Sequence, residues 1–257
     1  HPIPYHTYRL LTSLKEYGVK IATVSCGSEH TLIVTDDGEV LSCGVGEYGR
    51  LGGGSSEDTY VPSPLDSLVS SEVTITQAAA GTNHSMALSQ DGHVYSWGRN
   101  DAGQLGFADT YIDIYSMEEF PRKIDSEAFD DEKVIQIAAC SCRSAAVTEK
   151  GTLYVWGRKQ NHYPTKVDFE DGYIVKSVEM GRDDSDRHVC FAIVDGPNGE
   201  ESLLYKFGHF KSNMLGEDEN NGPTNNPVPS VISSLNSRNV VSISAGIGHV
   251  VAVVKAV

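Results

Sequence analysis

The sequence VYSWGRNDAGQLG at residues 94–106 repeats, with changes, the sequence VLSCGVGEYGRLG at residues 40–52. The offset of 54 residues holds over the longer segments 21–52 and 75–106, in which 11 of 32 aligned positions are identical. Internal repetition at a period of this size is typical of solenoids, propellers and repeat arrays, in which each repeat is one structural unit. We therefore predict a chain built from several copies of one unit.

Three later segments continue the pattern less closely. Residues 134–157 keep the glycine of the second turn and the Trp-Gly pair, and residues 175–216 keep a glycine and a histidine near the start. Residues 240–254 restore the Gly-x-x-His spacing. Repeat starts therefore fall near 21, 75, 134, 175 and 240, which gives about four complete units and a partial one. We assign residues 1–20 to a lead-in segment and residues 21–257 to the repeats.

Each unit has the pattern of three strands separated by turns. In the second unit, ITQAAAG and HSMALS precede the turn signal QDG, and HVYSWG follows it with β-branched and aromatic residues. A sheet of three or four strands covers both of its faces only when it packs between copies of itself, as the blades of a propeller do. We predict an all-β propeller of antiparallel blades, preceded over residues 8–17 by a short helix or a loop.

The second unit carries the signature Gly-x-x-His, Asp-Gly, Trp-Gly and Gly-x-Leu-Gly, which resembles the repeat of the regulator of chromosome condensation family. The resemblance covers roughly residues 20–254 and is strongest in the first two units. It implies a seven-bladed propeller. Because an open propeller exposes strand edges, we expect the remaining blades to lie outside this chain or in another chain, with a closed ring of five blades as the alternative.

The charge of the chain constrains its partners. Lys and Arg number 20 against 35 Asp and Glu, and the formal charge of −15 repels the phosphates of nucleic acids and favours a basic or mixed-charge protein partner. No apolar run approaches the length of a membrane span, and the first residues do not resemble a leader. Five scattered cysteines do not form a disulfide framework, so we expect an intracellular protein, cytoplasmic or nuclear.

The sequence indicates neither a metal site nor a catalytic site. Cys140 and Cys142 have the spacing of half a zinc site, but a second pair at zinc spacing is absent. The motifs Gly-x-Ser-x-Gly, P-loop and His-Glu-x-x-His are also absent. We predict no metal, no cofactor and no catalytic residue.

Four histidines recur at one position of the repeat: His30, His84, His188 and His249. We interpret them as structural side chains that hydrogen-bond the blade backbone near the central axis. The alternative is a ring of histidines at the mouth of the central channel. Trp97 and Trp156, which Cys43 and Phe207 replace in other units, are predicted to fill the wedge between blades.

Two segments are candidate partner-binding sites. The fourth unit has four extra residues between its glycine and its histidine, in a turn that carries Arg182, Asp183, Asp184, Asp186 and Arg187. The acidic segment 107–134 carries the aromatic residues Tyr111, Tyr115 and Phe120. Loops on a rigid scaffold often carry function, although a solvated loop without a function is the other interpretation of both segments.

The main functional prediction is a non-catalytic scaffold whose propeller-face loops bind a partner protein. The alternative that the family resemblance implies is a guanine-nucleotide exchange factor for a Ran-like small GTPase, in which residues 107–134 would form a protruding wedge. A domain of a larger ligase or ciliary protein is a third interpretation. Resemblance of fold does not decide among them.

Overall fold

The structure is a computed structural model that describes residues 12–108, 112–113, 115–158, 161–182, 188–197, 199, 202–210, 224–235, 239–246 and 249–255. It contains four four-stranded antiparallel sheets and one two-stranded sheet, and each sheet is one blade. The predicted all-β propeller, with four complete blades and a partial fifth, is confirmed.

The strands follow the chain from the inner edge of each blade to its outer edge. Blade 1 consists of β1 (Ile21–Cys26), β2 (His30–Thr35), β3 (Val40–Gly44) and β4 (Thr59–Pro64). Blade 2 consists of β5 (Ile75–Ala80), β6 (His84–Ser89), β7 (Val94–Arg99) and β8 (Met117–Lys123). Blade 3 consists of β9 (Val134–Cys140), β10 (Arg143–Thr148), β11 (Leu153–Gly157) and β12 (Asn161–Val167). Blade 4 consists of β13 (Ile174–Arg182), β14 (His188–Asp195), β15 (Ser202–Phe210) and β16 (Thr224–Val231), and blade 5 of β17 (Val240–Ala245) and β18 (Val250–Val254).

Helices are short and lie outside the sheets. The α-helices are α1 (Thr12–Tyr17) and α2 (Asp66–Val69), and 3-10 turns cover Glu47–Gly49, Ser126–Phe129 and Ser233–Leu235. No helix in the described ranges is both long enough and apolar enough to cross a membrane.

The fourth strand of each complete blade corrects the predicted three-strand unit. Residues 107–134, interpreted as a long acidic connection, contain β8, which pairs with β7, and a 3-10 turn whose Phe129 is buried. The outer strands lack regular alternation, and each has a proline after an apolar residue, at Pro62, Pro121, Pro164 and Pro229. Proline is tolerated at a sheet edge because the amide that it lacks has no neighbouring strand to bind.

The hydrophobic core consists of layers between successive blades rather than one central cluster. Trp97 of blade 2 packs against Leu32 and Val34 of blade 1, and Trp156 of blade 3 packs with Met86 and Leu105 of blade 2. Both indole rings are completely buried. A large ring fills the wedge that two twisted sheets leave between them.

The two ends of the row of blades keep apolar surface exposed. Val24 on β1 is 52% exposed, and Val251 and Val253 on β18 are at least half exposed. Residues at similar inner positions of blades 2 to 4 are covered by the neighbouring blade. The described blades thus form an open arc rather than the closed ring of five.

The blades have two distinct faces. The loop face, as we name it, carries the turns between the first and second strands of the first three blades, such as residues 81–83, and the connections at residues 45–58 and 100–108. The opposite face, the turn face, carries the Asp-Gly turns, in which Gly38 and Gly92 have φ of 89° and 88°. Glycine adopts this left-handed backbone without the penalty that a Cβ imposes.

Candidate interaction site

The recurring histidines of the first two blades lie between blades. Nε2 of His30 is 2.9 Å from Oγ of Ser85 in blade 2, and Nε2 of His84 is 2.9 Å from Oγ of Ser144 in blade 3. Both rings are buried. The partner of Nε2 in each case is therefore a serine of the next blade, and the backbone hydrogen bond expected from the sequence stays a prediction.

Each of these serines donates a hydrogen bond to a loop carbonyl. Oγ of Ser85 donates to the carbonyl of Arg50 at 2.7 Å, and Nε1 of Trp97 donates to the same oxygen at 3.0 Å. Oγ of Ser144 and Nε1 of Trp156 likewise donate to the carbonyl of Gln104. We name each set of histidine, serine, tryptophan and carbonyl an inter-blade clasp. Because a hydroxyl has one proton, the histidine must donate through Nε2–H.

Burial keeps both clasp histidines neutral. It lowers the pKa of His30 to about 4, with the positive charge of Arg50 as the second cause. It lowers the pKa of His84 to about 3, with the charge of His30 acting in the same direction and the carbonyl of Ser141 in the opposite one. A buried imidazolium would be poorly solvated, so the neutral ring is favoured. The clasps are therefore uncharged at neutral pH.

The remaining repeat positions depart from this arrangement. His188 is buried, and its Nε2 lies 3.8 Å from Sγ of Cys142 in blade 3. Arg143 stands at the histidine position of blade 3. His249, in blade 5, is exposed and packs beside Gly246.

Among the described residues, the axial end of the channel is lined mainly by small side chains, and no histidine is part of that lining. A cavity of about 230 Å³ lies where the first strands of all five blades end. Its lining includes Gly27, Gly81, Cys140, Gly181 and Gly246. The rings of His30 and His84 lie directly behind Gly27 and Gly81. Space at the axis thus depends on glycines that stand in front of the clasp histidines.

A second cavity, of about 310 Å³, opens on the loop face between blades 2 and 3. It is lined by Thr82, Asn83, Arg99, Asp101, Ala102, Gln104, Ser141, Cys142 and Arg158. Nη2 of Arg99 lies 2.7 Å from Oδ2 of Asp101. Nε of Arg99 is buried without a hydrogen-bond partner among the described residues. This cavity combines charged groups with open space, and the clasp at the carbonyl of Gln104 holds the loop beside it.

The partner-binding residues predicted from the sequence are only partly within the described ranges. Asp183, Asp184, Asp186, Arg187 and Tyr111 lie outside them. Arg182 is the last residue of β13. The structure therefore does not test the predicted inserted turn.

Two of the predicted aromatic residues lie near the outer edge of blade 2. Tyr115 is 80% exposed, just before β8. Phe120 is 55% exposed, and one side of its ring packs against Gly54 of the loop from blade 1. Both present apolar surface to solvent at the edge of the loop face, outside the cavity.

No group of three or more His, Cys, Asp or Glu side chains in the described part of the chain is placed to hold a metal ion. All five cysteines are free thiols. Burial raises the pKa of Cys190 to about 12, which keeps that thiol protonated.

Sequence reasoning missed the residues that build the loop-face cavity. It did not consider Arg99, Arg158, Asp101 or Asn83. A signal was present, because two consecutive units place arginine after Trp-Gly where the first unit has Val45. The serine that follows the histidine position of the repeat, Ser85 after His84 and Ser144 after Arg143, was likewise a signal for the clasp in the sequence.

Comparison with known proteins agrees with this architecture. Two models of the regulator of chromosome condensation (RCC1) repeat match the chain, one at residues 37–88 and 91–147 and the other at residues 21–50 and 75–104. The ultraviolet-B receptor UVR8 of Arabidopsis thaliana is 33% identical over 247 residues, which cover 91% of this chain and 51% of the receptor.

Two solved structures show the same fold at lower identity. Human WBSCR16 superposes with a TM-score of 0.73 at 24% identity, over 92% of this chain and 58% of that protein. Prp20p from Saccharomyces cerevisiae superposes with a TM-score of 0.70 at 22% identity, over 89% of this chain and 54% of that protein. This chain spans about half the length of these proteins. It belongs to the family of proteins that carry regulator of chromosome condensation repeats.

Proposed function

We propose that this chain is a protein-interaction module whose loop face binds a partner protein. The observation that carries the proposal is the charged cavity of about 310 Å³ in a face whose loops are fixed by hydrogen bonds between blades. Loops that are held in one conformation before binding lose little entropy when a partner arrives. A concave site with a few oriented polar groups on such loops is the usual form of a specific binding site.

The charges favour a partner that carries both signs. The chain as a whole has a formal charge of −15, which attracts basic segments and repels nucleic acid. The cavity contributes Arg99 and Arg158 against Asp101. We therefore propose a mixed-charge protein partner, with an intracellular location in keeping with the five free thiols.

The exposed residues at the edge of the loop face extend the proposed binding surface. Tyr115 offers a large apolar side chain without burial by its own blade. Aromatic side chains are enriched in protein interfaces because they bury much area with few rotatable bonds. The turn with Arg182, Asp183, Asp184, Asp186 and Arg187 remains a second proposed contact.

Photocross-linking tests this proposal. A benzophenone amino acid at Tyr115 reports on the loop face, and the same residue at Glu149, exposed in the turn between β10 and β11, reports on the turn face. We expect a discrete cross-linked protein from position 115 and none from position 149 in cells that express the full chain. Equal cross-linking from both positions, or none from position 115, would contradict the proposal.

The exchange-factor alternative makes a separate prediction. Prp20p is described as binding Gsp1p and histones, and a similarity of 22% carries only the fold to this chain. The described part of residues 107–134 pairs within blade 2 and forms no protruding wedge. Accelerated release of fluorescent GDP from Ran at catalytic concentrations of this chain would favour the exchange-factor function over the scaffold function. We expect no acceleration.

A further inference from the structure

The repeat places two equivalent sites side by side on the loop face. The closed inter-blade site, between blades 1 and 2, contains Glu29, Glu47, Tyr48, Arg50 and Arg99. The open inter-blade site, between blades 2 and 3, contains the residues at the same repeat positions: Asn83, Asp101, Ala102, Gln104 and Arg158. Each site is thus a natural variant of the other on one scaffold.

In the closed site, the chain supplies both the ring and the carboxylates that occupy the space. The ring of Tyr48 lies 4.5 Å from the guanidinium carbon of Arg99, and Tyr48 adopts a left-handed backbone with φ of 63°. The side chain of Arg50 is completely buried, with Glu29 at 3.3 Å and Glu47 at 3.2 Å. A positive φ at a bulky residue is unfavourable and persists only when its surroundings enforce it. The site is therefore filled and neutralised by the protein itself.

In the open site, the residues at the same positions leave the cavity unfilled and supply fewer carboxylates. Ala102 stands where Tyr48 fills the closed site, and the cavity of about 310 Å³ lies beside it. Asn83 stands where Glu29 supplies a carboxylate. The one carboxylate of the lining, Asp101, is already paired with Arg99.

Arg158 is the group that this arrangement leaves without a counter-charge. It lines the cavity, has a left-handed backbone with φ of 61°, and makes no ion pair with any residue in the described ranges. Blade 3 has no Gly-x-Leu-Gly loop after its Trp-Gly pair, and its outer strand β12 begins four residues after Gly157. No loop of the kind that covers Arg99 therefore follows Arg158 in the sequence.

We propose that the open inter-blade site binds an aspartate or glutamate side chain of a partner protein, with Arg158 as the pairing group and Asn83 as a second donor. The inference rests on the proposed protein-interaction function and specifies its chemistry. Arginine pairs with carboxylates through two parallel hydrogen bonds, which gives orientation as well as affinity. The partner's carboxylate would take the role that the chain's own glutamates have in the closed site.

The charge of the lining selects a carboxylate over a phosphate. Arg99 and Arg158 against Asp101 give a formal charge of +1, which one carboxylate neutralises. A phosphate carries close to two negative charges at neutral pH, and Asp101 would repel the second. Specificity for the monoanion thus comes from a group that is itself part of the lining.

Side-chain NMR of the full chain tests the assignment directly. The Nε–Hε signal of Arg158, identified by its loss in Arg158→Lys, is followed during titration with the capped peptide Gly-Ser-Glu-Ser-Gly. The same peptide with Gln or with phosphoserine in place of Glu is titrated in parallel. We expect a saturable shift with the Glu peptide that is at least about tenfold stronger in affinity than with the Gln peptide, as a charge-assisted pair predicts.

The closed site supplies the matched variant. Asn83→Glu gives the open site the carboxylate that Glu29 gives the closed site, and Asn83→Gln is its uncharged control. We expect Asn83→Glu to shift the Arg158 signal in the absence of peptide and to weaken peptide binding about tenfold or more, whereas Asn83→Gln does neither. Equal binding of the Glu and Gln peptides, or tighter binding of the phosphoserine peptide, would overturn the proposal.

The experiment separates this inference from the broader one. A partner cross-linked through position 115 together with no shift of Arg158 would remove the carboxylate site and keep the interaction module. Selective binding of the Glu peptide without any cross-linked partner would keep the site and remove the module.

Discussion

Nε2 of His84 lies 2.9 Å from Oγ of Ser144, and this hydrogen bond joins the second strand of blade 2 to the second strand of blade 3. Oγ of Ser144 donates a hydrogen bond to the carbonyl oxygen of Gln104, and Nε1 of Trp156 donates to the same oxygen. The loop of blade 2 at Gln104 is therefore held by two side chains of blade 3, one of which is hydrogen-bonded to His84. The contact gives the repeat a structural reason to keep a histidine at this position.

Ser144→Ala should destabilise the protein more than a comparable change outside a clasp. The substitution leaves the buried Nε2–H of His84 without an acceptor, which costs about 1–3 kcal/mol in the free energy of unfolding. Thr31→Ala, at the same repeat position in blade 1, is the control. In the described structure, the hydroxyl of Thr31 accepts no hydrogen bond from a histidine of another blade. Urea unfolding followed by tryptophan fluorescence measures both. Equal losses would show that the clasp contributes nothing specific.

Acid should destabilise the folded protein through the clasp histidines. The ordinary histidine pKa is about 6.5, and the folded values are about 4 for His30 and about 3 for His84. The unfolded chain therefore binds more protons below pH 6.5, and stability falls as the pH decreases from about 6.5 towards 4. The linkage slope implies a loss of about 2 kcal/mol for each histidine between pH 7.5 and pH 5.

The double variant His30→Gln with His84→Gln isolates this contribution. Glutamine offers an amide N–H but does not titrate, so the difference in unfolding free energy between pH 7.5 and pH 5 should shrink relative to the unchanged chain. His162→Gln, at an exposed position, serves as the control. An undiminished pH dependence in the double variant would mean that carboxylates, not the clasps, cause the acid sensitivity.

The repeat period predicted the blades because each strand-turn-strand segment is specified locally. Asp-Gly turns and alternating apolar residues act over a few positions, so they are readable in one unit at a time. The outer strand was not predicted from the sequence, because Pro121 and Pro164 break the pattern that a strand in the interior of a sheet requires. Only its position at an edge makes such a strand acceptable, and an edge is a property of the assembled sheet.

The candidate site was less readable because its chemistry arises from differences between repeats. Nothing in the sequence marks Ala102 and Asn83 as functional. Their significance comes from the structure, in which Tyr48 and Glu29 occupy the equivalent positions of the closed site. Their effect depends on a neighbouring blade, which provides Arg158. A search for residues that the repeats share finds the clasp. It overlooks the open inter-blade site, which is formed by residues that differ between the repeats.

Gly52→Ala should be strongly destabilising, whereas Gly53→Ala next to it should be tolerated. Gly52 has φ of 78°, and a Cβ there would lie 2.7 Å from Nε1 of Trp97, which is hydrogen-bonded to the carbonyl of Arg50. Both the backbone and the indole would have to move, at a cost of about 2 kcal/mol or more. A Cβ at Gly53 meets no atom within 4 Å. Thermal unfolding of the two variants checks the contrast, and similar melting temperatures would refute it.

A double-mutant cycle on Gly81 and His84 should show strong coupling. A Cβ at Gly81 would overlap Cε1 and Nδ1 of the His84 ring, so Gly81→Ala should cost about 2 kcal/mol or more in the unchanged chain. Blade 3, with Cys140 at the glycine position, has Arg143 in place of the histidine. The side chain at the first position and the ring at the second therefore exclude each other.

In the His84→Ala background, the added methyl group has the space that the ring vacates. Gly81→Ala should then cost at least about 1 kcal/mol less than it does beside His84, which is a coupling well above the error of such cycles. Urea unfolding of the four proteins measures the coupling, with Gly53→Ala combined with His84→Ala as the uncoupled control. Additive losses at Gly81 and His84 would mean that the carbonyl of Ser141, the other close neighbour of a Cβ at this position, imposes the glycine instead.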